Sequence, residues 1–367
     1  MKKVINLCVM AVLALTTGLF ASCSSSDKEL DTDNSTDKQP VQITKKHDTA
    51  LLLCSFGSTY QEPQITYDYI IDDFKAAFPN TDIYISFTSR TIVSRVYAQI
   101  GKAYAQPDVW FKELAKAGYK KVMVQSLHII PGGEYVSLMD TEAYKNFMAK
   151  NPDIEVARGA CLLKSDQDVK QTAKVLYDYY KKDLDQGKVV AFMGHGNPEQ
   201  EYLFANNRYQ QLEKELQALS GKANIFVGTV DWAERMFGHV RDGIIAYAHT
   251  QGIQEKEYNK QVVVLAPLMS IAGDHAQNDM LGGLEDGQTL ESVDPFEIDA
   301  DEKGEPCAEF TWKLKLEKLG FTIDPKGSTL GDNFNVVGLG DHAALRNLWV
   351  EHLKNAEFET WNGIFND

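Results

Sequence analysis

A chain that runs one series of segments twice has few ways to fold. Here a strand-like run over residues 49–55 ends in Phe56-Gly57-Ser58-Thr59. A second, over 189–193, ends in Gly194-His195-Gly196, and Gly57 and Gly196 are 139 residues apart. Residues 83–88 fall on 225–230 at an offset of 142, residues 121–124 fall on 261–264 at 140, and Gly133 falls on Gly273 at 140. Parallel strands share composition, but shared composition does not produce a shared offset. The pattern therefore predicts an internal duplication.

The repeated unit is α/β. In the first copy, strand-like runs at 49–55, 82–87, 121–130 and 154–162 alternate with helix-like stretches, the first at 63–78. In the second copy the runs are 189–193, 224–230, 261–269 and 333–339, with helices at 207–219 and 343–355. Continuous apolar runs separated by helices indicate parallel sheets covered on both faces. The expected architecture is two similar domains, residues 48–185 and 186–367, each a parallel sheet flanked by helices. The last helix is a candidate to pack back on the first domain. Residues 284–309 break the symmetry with an acidic insertion, read as a solvated excursion or, more sharply, as a flap over the cleft or a metal-gathering segment.

The N-terminus speaks to compartment. Lys2 and Lys3 precede an apolar run that reaches Ala21, followed by Ser22-Cys23-Ser24. A basic start, an apolar core and small residues before a cut form a secretory signal over residues 1–22. The cysteine placed there resembles a bacterial lipobox, so Cys23 is expected to carry lipid, with residues 23–47 as a polar tether. This makes the chain an exported, periplasmic or cell-surface lipoprotein that meets membrane only through its anchor. An ordinary signal peptide with a chance cysteine is the plainer alternative. The net charge of −15 argues against nucleic acid as a partner. Cys54, Cys161 and Cys307 form no C-x-x-C pair, so neither a disulfide framework nor a zinc-cysteine site is indicated.

Ligands of open parallel sheets bind beyond the carboxyl ends of the strands. In the second copy these ends carry His195, Asp231 and the run Ala272-Gly273-Asp274-His275; the first copy has Phe56 where the second has His195, and Tyr135 where it has His275. Two imidazoles and a carboxylate suit a borderline divalent ion such as Co²⁺, Ni²⁺, Fe²⁺ or Zn²⁺. Three protein ligands leave open positions, as a metal that must be handed on requires. Asp231 is equally well placed to be a helix N-cap. Ser55, Ser58 and Thr59 precede a helix and are candidates to hold a ligand carboxylate, or to cap. Arg90 and Arg95 are candidates to pair with acidic groups of a ligand. His128 lies in Ser126-Leu127-His128-Ile129-Ile130, either lining the cleft or buried and satisfied. His239, His249, His342 and His352 read as exposed. No G-x-x-x-x-G-K-[ST], G-x-G-x-x-G or G-x-S-x-G occurs where it would act, which argues against a nucleotide and against serine hydrolysis.

The runs Ser55-Phe56-Gly57, Gln125 to Ile130, Phe192-Met193-Gly194-His195-Gly196 and Pro267-Leu268-Met269 through Met280, with the tail Gly338 to Arg346, resemble the anaerobic sirohydrochlorin cobalt chelatases. The likeness runs through residues 48–356 in order. It implies a class II chelatase fold with a tetrapyrrole between the halves and ATP-independent insertion of cobalt early in cobalamin synthesis. It places the two metal histidines on His195 and His275. Apart from the resemblance, His275 is the candidate base, since an imidazole titrates near working pH. The family's acidic ligand is usually Glu; here it is Asp231, one methylene shorter, which puts metal preference in doubt. The anchor is a further departure and leaves other readings open. These are an iron or nickel chelatase, or an exported lipoprotein that binds haem, another tetrapyrrole or a metal. Self-association into a homo-oligomer also stays open.

Overall fold

The computed structural model describes residues 41–300, 307–324 and 337–363. The signal over 1–22, Cys23 and most of the tether lie outside the described residues. The first half contains β1 (Thr49–Ser55), α1 (Ile65–Ala77), β2 (Asp82–Phe87), α2 (Arg90–Ile100), α3 (Pro107–Lys116), β3 (Lys121–Ser126), α4 (Gly133–Val136), which widens into a π-helical stretch Ser137–Met148, β4 (Glu155–Gly159) and α5 (Asp166–Asp185). The second contains β5 (Val189–Gly194), α6 (Leu203–Ser220), β6 (Ile225–Thr229), α7 (Phe237–Thr250), β7 (Val262–Pro267), a π-helical turn Ala276–Met280, α8 (Trp312–Leu319), β8 (Thr322–Ile323) and α9 (Ala343–Lys354).

The two sheets repeat one order. The first runs β2-β1-β3-β4 and the second β6-β5-β7-β8, all parallel. Even the π-helical turns recur, each just after the third strand of its sheet. The burial pattern explains the parallel form: β1 and β5 are buried almost throughout, because helices cover both faces. Leu51 and Leu53 of β1 share one core with Val190 and Phe192 of β5, and with Ile70 and Phe74 of α1, Tyr209 of α6 and Trp349 of α9. The alternate side chains, Ala50 and Leu52 on one sheet and Val189 and Ala191 on the other, face separate outer cores. One helical layer is thus shared between the sheets, and α9 packs across α1, β3 and β4 of the first half.

Two expectations need correction. Among the described residues the fourth strand of the second sheet is Thr322–Ile323, ahead of the expected 333–339. Residues 333–336 lie outside the described residues, and Leu339–Asp341 is a 3-10 turn. Residues 127–130 are not strand, because the β1–β3 ladder ends at Cys54↔Ser126.

The acidic insertion is docked rather than loose. Lys315, 1% exposed on its side chain, pairs with Glu297 and Asp299 at 2.9 Å each. Those carboxylates also accept the backbone N–H groups of Phe310, Glu309 and Gly238. Val293, Phe310 and Leu314 make a small core beneath. Asp301, Glu302 and Glu305 lie outside the described residues.

Candidate functional site

His195 sits where β5 leaves the sheet. The chain turns there through Gly196, whose φ of +88° favours glycine and where a Cβ would lie 2.9 Å from the backbone nitrogen of Trp232. The turn is tied to the end of β6, because Val230 and Asp231 donate their N–H groups to the His195 carbonyl. His275 ends the segment after β7 and opens the π-helical turn Ala276–Met280. Such wide turns recur at functional sites. The structure brings the two imidazoles together, ring centroids 4.7 Å apart and edge to face.

Their ring nitrogens are differentiated. His195 Nδ1 lies 2.9 Å from the Gly196 carbonyl, which can only accept, so Nδ1 carries the proton. His275 Nδ1 lies 2.5 Å from the Asp279 carboxylate and donates likewise. In both rings Nε2 is buried and has no hydrogen-bond partner. A buried lone pair without a donor costs free energy unless the site has another use for it. An imidazole held through Nδ1 with Nε2 open is the usual posture of a metal ligand.

Charge reinforces this posture. Burial depresses the His195 pKa, and the neighbouring His275 adds to the effect against the pull of Asp231. Burial would depress His275 as well, but its bond to Asp279 and the charges of Asp279, Asp231 and Asp274 outweigh burial and raise it. Asp231 stands beside His195 and Asp279 beside His275, and such negative charge suits a divalent cation.

Asp231 is 3% exposed and its carboxylate stands 3.5 Å from His195 Nδ1. It does not cap the 3-10 turn that follows, whose N-cap is Trp232. It approaches His195 from the side opposite the open nitrogen. Among the described residues no three His, Cys, Asp or Glu side chains gather closely enough to enclose an ion. The structure therefore shows two converging imidazoles with Asp231 behind one of them, rather than three donors at one point. Asp279 is the residue the sequence reading missed. Its signal was the i, i+4 spacing from His275, which brings two side chains together on one helical face.

The other sequence candidates are placed as follows. Ser55 is buried, with its hydroxyl 3.1 Å from Tyr67 and 3.5 Å from Ser270. Ser58 accepts the Tyr60 N–H, and Thr59 donates both its N–H and its hydroxyl to Asp274. Each of these groups has a bond within the protein, and both donors of Thr59 are spent on Asp274. His128 bonds Ser126 at 2.9 Å and Thr88 at 3.3 Å, and burial pushes its pKa down to about 4. It is a satisfied ring near the edge of the first sheet. Arg90 and Arg95 are exposed on α2. Of the histidines expected to be exposed, only His249 is. His239 meets Glu213, His352 bridges the Ala160 carbonyl and Asp168, and His342 meets Tyr179 edge to face. Phe56 flanks His195 with ring centroids 6.0 Å apart, whereas Tyr135 belongs to the outer core of the first half.

Comparison with known proteins matches residues 49–292 to the family described as cobalt chelatase (CbiK). The chain is 28% identical over 309 residues to the sirohydrochlorin cobaltochelatase of Salmonella typhimurium, covering 84% of this chain and 96% of that enzyme. It is 26% identical over 324 residues to the sirohydrochlorin cobaltochelatase CbiKC of Nitratidesulfovibrio vulgaris, covering 87% and 93%. Among solved structures, SirB from Bacillus subtilis with Fe³⁺ is similar with a TM-score of 0.49 and 12% identity, over 83% of this chain and 94% of that one.

Proposed function

This chain belongs to the cobalt chelatase (CbiK) family, and from that premise we propose that it inserts a divalent metal, Co²⁺ foremost, into sirohydrochlorin or a close tetrapyrrole without using a nucleotide. The observation that carries the reading is the pair of buried, unpartnered Nε2 atoms of His195 and His275 at the carboxyl edge of the second sheet. In this reading both Nε2 atoms hold the incoming ion. Asp231 and Asp279 orient the rings and offset the positive charge. Two donors leave most of the coordination sphere open to the macrocycle, as transfer requires.

Insertion exchanges one M²⁺ for two pyrrole protons. Once the ion has passed to the ring, His275 Nε2 is free to accept one proton, and Asp279 stabilises the imidazolium that results. The second proton leaves to water. Phe56 supplies an apolar wall beside His195 against which a flat ring can lie. The test is spectrophotometric: purified protein is mixed with sirohydrochlorin and Co²⁺. Catalytic conversion by the wild type, and its loss in His195→Ala and His275→Ala, is the expected result. Equal rates in all three proteins would sink the proposal.

The N-terminal signal favours a second element of this reading. The chain is exported and anchored through lipid on Cys23. Cys23→Ala should then move the protein from the membrane fraction to the soluble fraction and abolish incorporation of labelled fatty acid. The same signal, with Asp231 in place of Glu, supports the rival that the chain binds a tetrapyrrole or a metal, iron and nickel included, without turnover. Multiple turnovers per protein exclude that rival, and saturation at one equivalent favours it.

A further inference from the structure

The first half has Phe56 and Tyr135 where the second has His195 and His275, yet it touches both loops that bear the histidines, at equivalent places. On one side Thr59 donates its N–H at 3.2 Å and its hydroxyl at 2.6 Å to the carboxylate of Asp274, the residue before His275. Tyr60 adds a hydroxyl bond of 2.7 Å to Asn278, one turn further along the same segment. Ser58 lies so close to Gly273 that a Cβ there would sit 3.0 Å from its side chain. On the other side the N–H of Gly133 donates at 3.0 Å to Asn197, two residues past His195. A Cβ on Gly132 would lie 2.4 Å from the Asn197 amide. Gly133 and Gly273 are equivalent by the duplication, as are Ser58 and Asn197. The same pair of loops thus meets twice across the pseudo-two-fold, once beside each histidine.

We infer that the first half acts as a jig: Thr59 and Tyr60 are positioning residues that set His275, and the Gly133–Asn197 contact does the same for His195. Two donors on separate loops hold one ion only if the loops keep their separation. The inference rests on the metal reading given above.

The test titrates the full chain with Co²⁺ alone, following the absorption of protein-bound ion, beside thermal unfolding. Thr59→Val, which keeps the shape and removes the hydroxyl, is expected to weaken Co²⁺ binding about tenfold, the lower end for an outer partner of a metal ligand. Thr59→Ser is expected to restore it. Tyr60→Phe, at a more exposed position, should lose a smaller factor with folding intact, and it decides the matter if Thr59→Val does not fold. Wild-type affinity in Thr59→Val or, failing that, in Tyr60→Phe overturns the jig, as does a loss that Thr59→Ser fails to restore. His275→Ala separates the two ideas. If it loses Co²⁺ while Thr59→Val does not, only the jig fails. If it binds like the wild type, the metal reading fails and the jig falls with it.

Discussion

Laid on one another by the common offset, the two sheets differ chiefly in what stands at the ends of their strands. Phe56 occupies the place of His195, Tyr135 that of His275, and Ser89 that of Asp231. Ser89 caps α2 by accepting the Ile92 N–H, which is an ordinary structural task. At the equivalent turn the N-cap is Trp232, and Asp231 stands against His195. The backbone bonds are conserved in kind: Ser89 donates to the Phe56 carbonyl as Asp231 donates to that of His195. The edge of this sheet is therefore a frame that stands with either set of side chains, and the proposed reading gives the second half the ligating ones. On that reading the lesson is a division of labour, with ligands on one copy and support on the other.

The sharpest way to break this comparison is to substitute equivalent positions. His195→Ala or His275→Ala should abolish measurable cobalt insertion. Phe56→Leu and Tyr135→Phe should keep it within a fewfold, because neither offers a donor to the ion. Initial rates under one set of conditions decide this, and comparable losses in both halves would contradict the division.

The acidic insertion is the other asymmetry. Lys315→Ala takes a buried ammonium away from the half-buried carboxylates of Glu297 and Asp299. Breaking such a pair costs about 3–5 kcal/mol, so a large fall in Tm is expected, with metal affinity at low temperature unchanged. A loss of Co²⁺ binding without a loss of stability would revive the insertion as a metal-gathering element.

Asp279→Asn removes the carboxylate that orients His275. Outer partners of this type are worth about 10–100-fold in metal affinity. The first half has no counterpart to this pair, so the effect belongs to the second copy alone. Isothermal titration with Co²⁺ measures it, and an unchanged affinity would remove Asp279 from the site.

The smallest effect lies at the opposite edge, where β2 and β6 begin. Asp82 accepts the N–H groups of Lys46 and His47, the His47 ring and the Tyr119 hydroxyl. Burial works to raise its pKa, but these bonds outweigh it and hold it at about 2, against an ordinary 3.8. The equivalent residue, Asn224, is neutral and bonds Ser220 and the Lys188 carbonyl. A depressed carboxylate stabilises the fold above its ordinary pKa, and that stability fades as pH falls from about 4 to about 2. Asp82→Asn should therefore cost about 2 kcal/mol at pH 7 and much less at pH 2.5. Asn224→Ala should cost the same at both. Urea midpoints at the two pH values test this, and a pH-independent cost for Asp82→Asn would contradict it.

Much of this was legible in the sequence, for identifiable reasons. β1 and β2 have the expected bounds because buried parallel strands are unbroken apolar runs ended by polar or glycine turns. Thr322–Ile323 was not legible, since two residues on a sheet edge carry no periodic signal. Nor was the end of β3 at Ser126, because residues 127–130 stay apolar while their ladder partners run out. His195 and His275 were visible because a duplicated frame shows which side chains are out of place. The bonds of Thr59 were not, because hydroxyls before a helix look the same whether they cap, bind a ligand or reach a partner 215 residues away. The position of Asp231 behind His195 depends on turn geometry that residue type alone does not set.

The central claim is that His195 and His275 hold one ion through their Nε2 atoms. X-ray absorption of the cobalt-loaded protein reads this directly, since imidazole nitrogens lie about 2.0–2.1 Å from a divalent ion of this kind and leave outer-ring scattering of their own. The account predicts two imidazoles on cobalt in the wild type and one in either single variant, His195→Ala or His275→Ala. A cobalt site with oxygen ligands alone, or one unchanged by both substitutions, would contradict it.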